Sequence, residues 1–201
     1  MAIKVANNQS LTAITALPSA ITAGAMTLLS TQTASSSATI SFTSGIDDTY
    51  DEYIFMFNDI HPATNQVTLG FQGNVAGGAD YNETITSTFF KAGLGEDDSG
   101  SGIGYETGAD QAQGTAFQQI IRYLGNDNDQ SGVGYLHLFN PSSTTFVKHF
   151  ISATNHSHAS DETEQDFVAG YFNTTSAIDE IQFKMSSGNI DAGTFKMYGV
   201  S

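Results

Sequence analysis

The sequence predicts an all-β domain, an antiparallel β-sandwich of jelly-roll type with an extended N-terminal arm. Short alternating or continuous apolar runs are separated by turn sequences rich in Gly, Asn, Asp and Ser, a spacing typical of sandwiches and barrels. No segment longer than two helical turns has the periodicity of a helix, which argues against βαβ units. The 201 residues include 39% hydrophobic residues and 14 Phe, enough to form one core.

Four strands are predicted in the first half of the domain. Residues 38–42 alternate between apolar and polar side chains, as a half-buried strand does. Residues 53–57 are almost wholly apolar, which is typical of a central strand covered on both faces. Further strands are predicted at residues 67–71 and 85–91. The stretch 93–104 is dense in Gly, Ser and Asp, so we expect a loop there.

The second half continues the pattern of short strands and turns. In residues 135–139, Leu136 and Leu138 face one way and the aromatic and His residues face the other. Residues 154–164 are polar and are expected to form a loop. The strands predicted in this half are at residues 117–124, 135–139, 145–152, 167–172, 178–185 and 194–198.

The chain divides into an arm at residues 1–33 and a sandwich domain at residues 34–201. The arm carries one charged residue, Lys4, and no aromatic residue. It is too apolar for a solvated tail, so we expect it to dock on a neighbouring subunit. Residues 1–5 lack a basic region followed by an apolar core, and no secretion signal is expected. The side chains expected to anchor the arm are Ile3, Leu11, Ile14, Leu17 and Ile21.

Charge excludes two classes of partner. The chain has 21 Asp and Glu but only 6 Lys and Arg, a formal net charge of −15. Nucleic-acid binding depends on clustered Lys and Arg, so DNA and RNA are excluded as partners. The same charge balance, with no apolar stretch of membrane-spanning length, argues against a membrane partner. Because the chain contains no Cys, packing, hydrogen bonds or oligomerisation must hold it together.

Two segments resemble parts of metal sites. Asp127 and Asp129 alternate with Asn as in half of a calcium loop, but the position that needs Glu is Leu138. Such residues more often cap a turn, and we favour that interpretation. His156 and His158 could project from one face of an extended segment, but no third ligand is specified, so a solvated loop is expected. We therefore predict no metal site and no cofactor.

We predict a non-enzymatic protein without catalytic residues. The chain has neither a Gly-x-Ser-x-Gly elbow nor a Gly-rich loop between a strand and a helix, and it has no Cys nucleophile. Glycoside hydrolysis needs only two carboxylates at a suitable separation and stays open as an alternative. Three tyrosines are candidates for surface recognition, because their rings could stack on sugars or pack at an interface: Tyr105, Tyr123 and Tyr135. Completing a sheet surface explains them equally well.

Three segments carry a resemblance to a known group of proteins: GIDDTYDEYIF at residues 45–55, LHLFNPSSTTF at residues 136–146 and SGNIDAGTFKMYG at residues 187–199. They resemble recurring segments of structural proteins of marine tailed bacteriophages, including those that infect cyanobacteria. The resemblance runs from about residue 29 to the C-terminus. It therefore leaves most of the arm uncovered.

The resemblance implies a virion structural protein with a jelly-roll module, often trimeric, and no catalytic residues to transfer. We therefore expect a phage virion surface protein that decorates or cements the capsid and is attached through its arm. A tail-fibre or host-glycan-binding adhesin module is the alternative. The expected partners are other virion structural proteins, further copies of the chain in a homo-oligomer with a trimer favoured, and a host surface glycan.

Overall fold

A computed structural model describes residues 25–200, which contain β-strands, turns and bends and no helix. Within this range nothing could cross a membrane as an apolar helix. The thirteen strands are β1 (Met26–Ser37), β2 (Ile40–Phe42), β3 (Glu52–Pro62), β4 (Val67–Val75), β5 (Ile85–Gly95), β6 (Gly102–Tyr105), β7 (Ala112–Gly114), β8 (Gln118–Leu124), β9 (Gly132–Phe139), β10 (Lys148–His158), β11 (Glu162–Phe172), β12 (Ile178–Met185) and β13 (Ile190–Val200).

The strands form one connected antiparallel sheet that is nearly closed into a barrel. A larger strand group runs in the order β1-β13-β3-β9-β10-β11-β5, and β6 and β7 pair with the free edge of β5. A smaller strand group runs in the order β8-β4-β12-β2. The two groups join where His158 of β10 pairs with Leu124 of β8. β1 and β2 are the strands at the two ends of the path that runs through both groups, and the Gln32 side chain of β1 donates a hydrogen bond to the Ser41 carbonyl of β2.

The core between the two strand groups is built mainly from phenylalanine. Phe183 of β12 has no exposed surface and lies at its centre. The ring centroid of Phe183 lies between 5.2 and 6.3 Å from those of Phe42, Phe55, Phe57, Phe71 and Phe195. The pairs with Phe42 and Phe57 are edge-to-face and the other three are tilted, and edge-to-face pairs add to the free energy gained by burying the rings. This cluster joins strands that are far apart in the sequence, and so fixes the smaller strand group onto the larger one.

The predicted all-β antiparallel class is confirmed, and β12 coincides with the strand predicted at residues 178–185. The loop expected at residues 93–104 is partly wrong, because β5 continues to Gly95 and β6 begins at Gly102. The loop expected at residues 154–164 is wrong, because β10 and β11 pair along their full lengths and leave only a tight turn. These residues are polar because they face the space between the strand groups or solvent, and neither position prevents strand pairing.

The boundary expected between residues 33 and 34 falls inside β1. Residues 26–33 pair with β13 and continue the sheet, and Leu29 packs against the core. A polar, Thr-rich segment at the edge of a sheet has only one face to bury, which weakens its sequence signal. The arm residues Ile3, Leu11, Ile14, Leu17 and Ile21 lie outside the described residues.

Candidate functional site

Three rows of side chains cross the larger strand group on the side away from the core. Paired residues of antiparallel strands project to the same side, so each row is continuous. The central row is Thr31, Lys196, Met56, Tyr135, Ala153, Phe167, Phe90 and Tyr105. The flanking rows are Leu28, Tyr198, Ile54, His137, Ile151, Ala169 and Thr88, and Val133, Asn155, Gln165, Ala92 and Ile103. These three rows together are the outer face.

The outer face is apolar and exposed. Of the eleven large hydrophobic side chains exposed in residues 25–200, eight lie in its three rows: Leu28, Met56, Phe90, Ile103, Tyr105, Val133, Tyr135 and Ile151. Monomeric soluble proteins rarely expose a contiguous apolar patch of more than a few hundred Å², and larger patches mark interaction sites. Because these side chains are concentrated on one face, the outer face is the candidate interaction site of this protein.

Aromatic rings form the middle of the outer face. Phe90 stacks on Phe167, with ring centroids 4.9 Å apart and an interplanar angle of 15°. Tyr135 packs edge-on against His137 at a centroid distance of 5.0 Å. The Tyr105 hydroxyl donates a hydrogen bond of 2.6 Å to Asp110 Oδ2, and this bond to a carboxylate raises the pKa of Tyr105. The middle of the outer face therefore offers flat, apolar rings to a partner.

Carboxylates are missing from the outer face. Within the described part of the chain, the only charged side chain of Lys, Arg, Asp or Glu type in the three rows is Lys196. The whole chain nevertheless contains 21 Asp and Glu. The carboxylates therefore lie mostly on other parts of the molecule. An acidic partner that approaches this face would meet less electrostatic repulsion than elsewhere on the surface.

The structure brings together two of the three predicted recognition tyrosines. Tyr105 and Tyr135 lie in the central row and are exposed. Tyr123 lies on β8 in the smaller strand group, where its hydroxyl accepts a hydrogen bond of 2.8 Å from Arg122 Nη2 and its ring packs against His158. Sequence reasoning missed Phe90, Ile103, Ile151 and Phe167; the alternation of β10 residues 148–153 was the signal that could have placed Ile151 outward.

Under the same strands, on the side facing β8, lies a group of ionisable side chains that we call the buried polar cluster. It consists of Lys91, Glu106, Arg122, His156, Glu164 and Asp166. His156 of β10 pairs with Glu164 of β11, and Asp166 follows two residues later on the same face. Arg122 comes from β8, so the cluster fills the gap between the two strand groups where the phenylalanine core ends.

Glu164 and Asp166, the two carboxylates that β11 contributes to the cluster, are each held at one oxygen. Lys91 Nζ lies 2.6 Å from Glu164 Oε2 and 3.8 Å from Glu106 Oε1. Asp166 Oδ2 accepts a hydrogen bond of 3.0 Å from the backbone N–H of Arg122 and lies 3.8 Å from His156 Nδ1. The Arg122 guanidinium forms an ion pair with Glu106. Both cationic side chains are therefore engaged, mainly by Glu106 and one oxygen of Glu164.

Several polar atoms of the cluster have no hydrogen-bond partner in residues 25–200. They are Glu164 Oε1, Asp166 Oδ1, Arg122 Nε and both ring nitrogens of His156. Glu164 and Asp166 have no exposed surface, and His156 is 2% exposed. Burial lowers the pKa of His156 to about 4. Burial and the neighbouring Glu164 raise the pKa of Asp166 well above its usual range. Burial alone would lower the pKa of Lys91, but Glu164 and Glu106 outweigh it and raise it.

The solvated loop expected at His156 and His158 is wrong, since both side chains are buried in β10. The two histidines do not form a common site: His156 groups with two carboxylates of β11 and His158 does not, and one atom each of His156, Glu164 and Asp166 lie within 4.8 Å of one another. The Asp127–Gln130 turn expected from the alternating Asn and Asp is present, closed by a hydrogen bond of 2.9 Å from the Gln130 N–H to the Asp127 carbonyl.

No protein family, curated protein or solved structure matches the chain.

Proposed function

We propose that the chain is a non-enzymatic structural protein of a tailed-bacteriophage particle, exposed on its outer surface as a capsid decoration protein. The observation that carries the proposal is the outer face, which gathers eight of the eleven exposed large hydrophobic side chains of residues 25–200, as expected of an assembly surface. The resemblance of residues 45–55, 136–146 and 187–199 to phage structural proteins supports the virion assignment. Attachment through the arm, with other virion structural proteins as partners, completes the proposal; nucleic acid and membranes are not partners.

The occupant that we propose for the outer face is a second copy of the same chain, within a homo-oligomer, with a trimer favoured. Two copies that each carry a formal net charge of −15 repel one another unless they meet through surfaces free of carboxylates. The three rows of the outer face carry no carboxylate themselves, and the two at its border, Glu52 and Asp110, are bonded to His137 and Tyr105 of the face. A basic partner would instead gain most from an acidic surface, so charge favours self-association here.

For the fold we propose the jelly-roll-like sandwich expected from the sequence. The division of the strands into a larger and a smaller group supports it, as does the phenylalanine core between them. In a sandwich, one side of each layer packs on the core and the other side is exposed. The outer face is the exposed side of the larger strand group, so it can pack against a neighbouring subunit.

Immunogold electron microscopy of intact particles tests the virion proposal directly. An antibody raised against residues 34–201 is applied to purified particles of the phage that encodes the chain. We expect gold spread over the head. Gold confined to the tail would replace decoration with the tail-fibre assignment, and particles without gold would overturn the virion assignment.

A host-glycan-binding module is the second candidate, and the exposed aromatic row favours it. Flat rings such as those of Tyr105 and Tyr135 can stack on the apolar faces of sugars. A saccharide array probed with the full chain separates the candidates. If the outer face binds glycans, Tyr135→Ala abolishes the array signal, while Tyr123→Ala, a matched change on the other strand group, keeps it. An array without signal contradicts this candidate and leaves decoration standing.

A further inference from the structure

The buried polar cluster contains a set of atoms that the protein positions but does not satisfy. Buried polar atoms are paired in the great majority of cases, because an unpaired one loses its hydrogen bonds to water without replacing them. Here two carboxylate oxygens and an imidazole have no partner in the described chain. The three side chains also converge, since one potential ligand atom from each of His156, Glu164 and Asp166 lies within 4.8 Å of the others.

We propose that His156, Glu164 and Asp166 bind one divalent transition-metal ion of the Zn²⁺ type. Each carboxylate is held in place at one oxygen, by Lys91 for Glu164 and by the Arg122 N–H for Asp166, and the other oxygen is free. Metal sites commonly use such outer contacts to orient their ligands. The two carboxylates are therefore oriented before an ion binds, and the three side chains need only a small inward movement to reach it.

The donor set selects the class of ion. One imidazole and two carboxylates suit Zn²⁺ and its first-row neighbours, which accept nitrogen and oxygen ligands. Ca²⁺ takes six to eight oxygen ligands, and three side chains with one imidazole do not supply them. Ligands about 2.0 Å from a tetrahedral ion lie about 3.3 Å apart, so binding requires His156 and the carboxylates to move inward by about 1 Å.

The charges and the topology give the ion a structural role. Lys91 and Arg122 are engaged by Glu106 and one oxygen of Glu164, which leaves Asp166 and the free Glu164 oxygen without a cation. A divalent ion supplies that charge. It also ties β10 to β11 and, through the Arg122 N–H on Asp166, both strands to β8. The ion would thus hold the larger strand group on the smaller one where the aromatic core ends.

Direct binding to the full chain tests the proposal. The protein is stripped with EDTA, dialysed and titrated with Zn²⁺ in a calorimeter, and Co²⁺ is added separately to read the coordination from its visible spectrum. We expect one ion per chain and a tetrahedral Co²⁺ spectrum, with three ligands from the side chains and a water molecule as the fourth. Asp166→Asn and His156→Ala should each weaken Zn²⁺ binding by more than about 100-fold, because loss of an outer contact alone costs about 10–100-fold.

His149→Ala is the matched control, since His149 lies on the same strand but is exposed, and it should leave the affinity unchanged. A measurement without substitution covers variants that fail to fold: the ¹⁵N shift of the His156 ring should change on addition of Zn²⁺. Three results would each overturn the proposal. They are the absence of Zn²⁺ binding to the folded chain, full affinity in folded His156→Ala, and an unchanged His156 ring shift.

Discussion

At the scale of single residues, the buried polar side chains fall into two kinds. Most are satisfied by backbone carbonyls: Gln72 Nε2 donates to the carbonyls of Glu83, Thr115 and Ala116, and Lys148 Nζ donates to those of Phe146 and Thr174. These bonds remove the cost of burying a polar group. Outside the buried polar cluster, residues 25–200 leave only two buried side-chain atoms without a partner, Asn74 Oδ1 and Gln111 Oε1. The unpartnered atoms of His156, Glu164 and Asp166 are therefore a local concentration, and they call for a ligand.

A substitution at the centre of the core tests the role of the phenylalanine cluster. Phe183→Ala removes a fully buried ring that contacts five other rings and leaves a cavity, so we expect the free energy of unfolding to fall by about 3–5 kcal/mol. Urea denaturation followed by tyrosine fluorescence measures the change. Phe146→Ala is the control, because Phe146 is 69% exposed and its loss should change stability by less than about 0.5 kcal/mol. Equal losses in the two variants would show that the cluster does not hold the fold.

At the scale of elements, the sequence predicts strands well where one face is apolar and poorly where both faces carry polar groups. Residues 53–57 and 178–185 lie in strands as predicted, because apolar side chains such as Phe55, Phe57 and Phe183 mark the core side. The cover expected on both faces of residues 53–57 is wrong, because Met56 projects to the exposed outer face. The halves of β10 and β11 next to the turn that joins them were not predicted, for the opposite reason. There His156 and Glu164 point inward to an ionic cluster, so no alternation of apolar residues marks these segments as strands.

The candidate site was partly predictable for the same physical reason. Tyr105 and Tyr135 could be singled out as exposed aromatics, but their common row depends on the pairing of β9, β10, β11, β5 and β6. Register of this kind is long-range and is not encoded in any one segment. The same holds for the buried polar cluster, whose members come from four strands and one loop.

Two truncations test the place of β1. Deleting residues 1–33 removes residues 26–33 from the edge of β13, including Leu29, whereas deleting residues 1–24 leaves β1 whole. We expect the longer deletion to be less stable than the shorter one by about 2 kcal/mol, the contribution of one buried Leu with its pairing. Thermal unfolding monitored by circular dichroism compares them. Equal midpoints would contradict the assignment of residues 26–33 to the sheet, and incorporation of both into particles would contradict anchoring by the arm.

At the scale of the whole molecule, charge and apolar surface are separated. The chain has a formal net charge of −15, yet the three rows of the outer face carry no carboxylate and most of the exposed large hydrophobic side chains of residues 25–200. The acidic remainder favours solubility, and the neutral face favours docking. Without disulfides, burial of this face between subunits would add to the stability of each one.

The central claim is that the outer face joins copies of this protein. The oligomeric state of the full chain tests this claim most directly. Sedimentation equilibrium should give a homo-oligomer for the wild type, and Ile151→Lys should give a monomer, because it places a charge in the middle of the face. Phe146→Lys, which adds the same charge to an exposed residue outside the three rows, should keep the oligomer. A wild type that stays monomeric, or an Ile151→Lys variant that still assembles like the Phe146→Lys control, would contradict the claim.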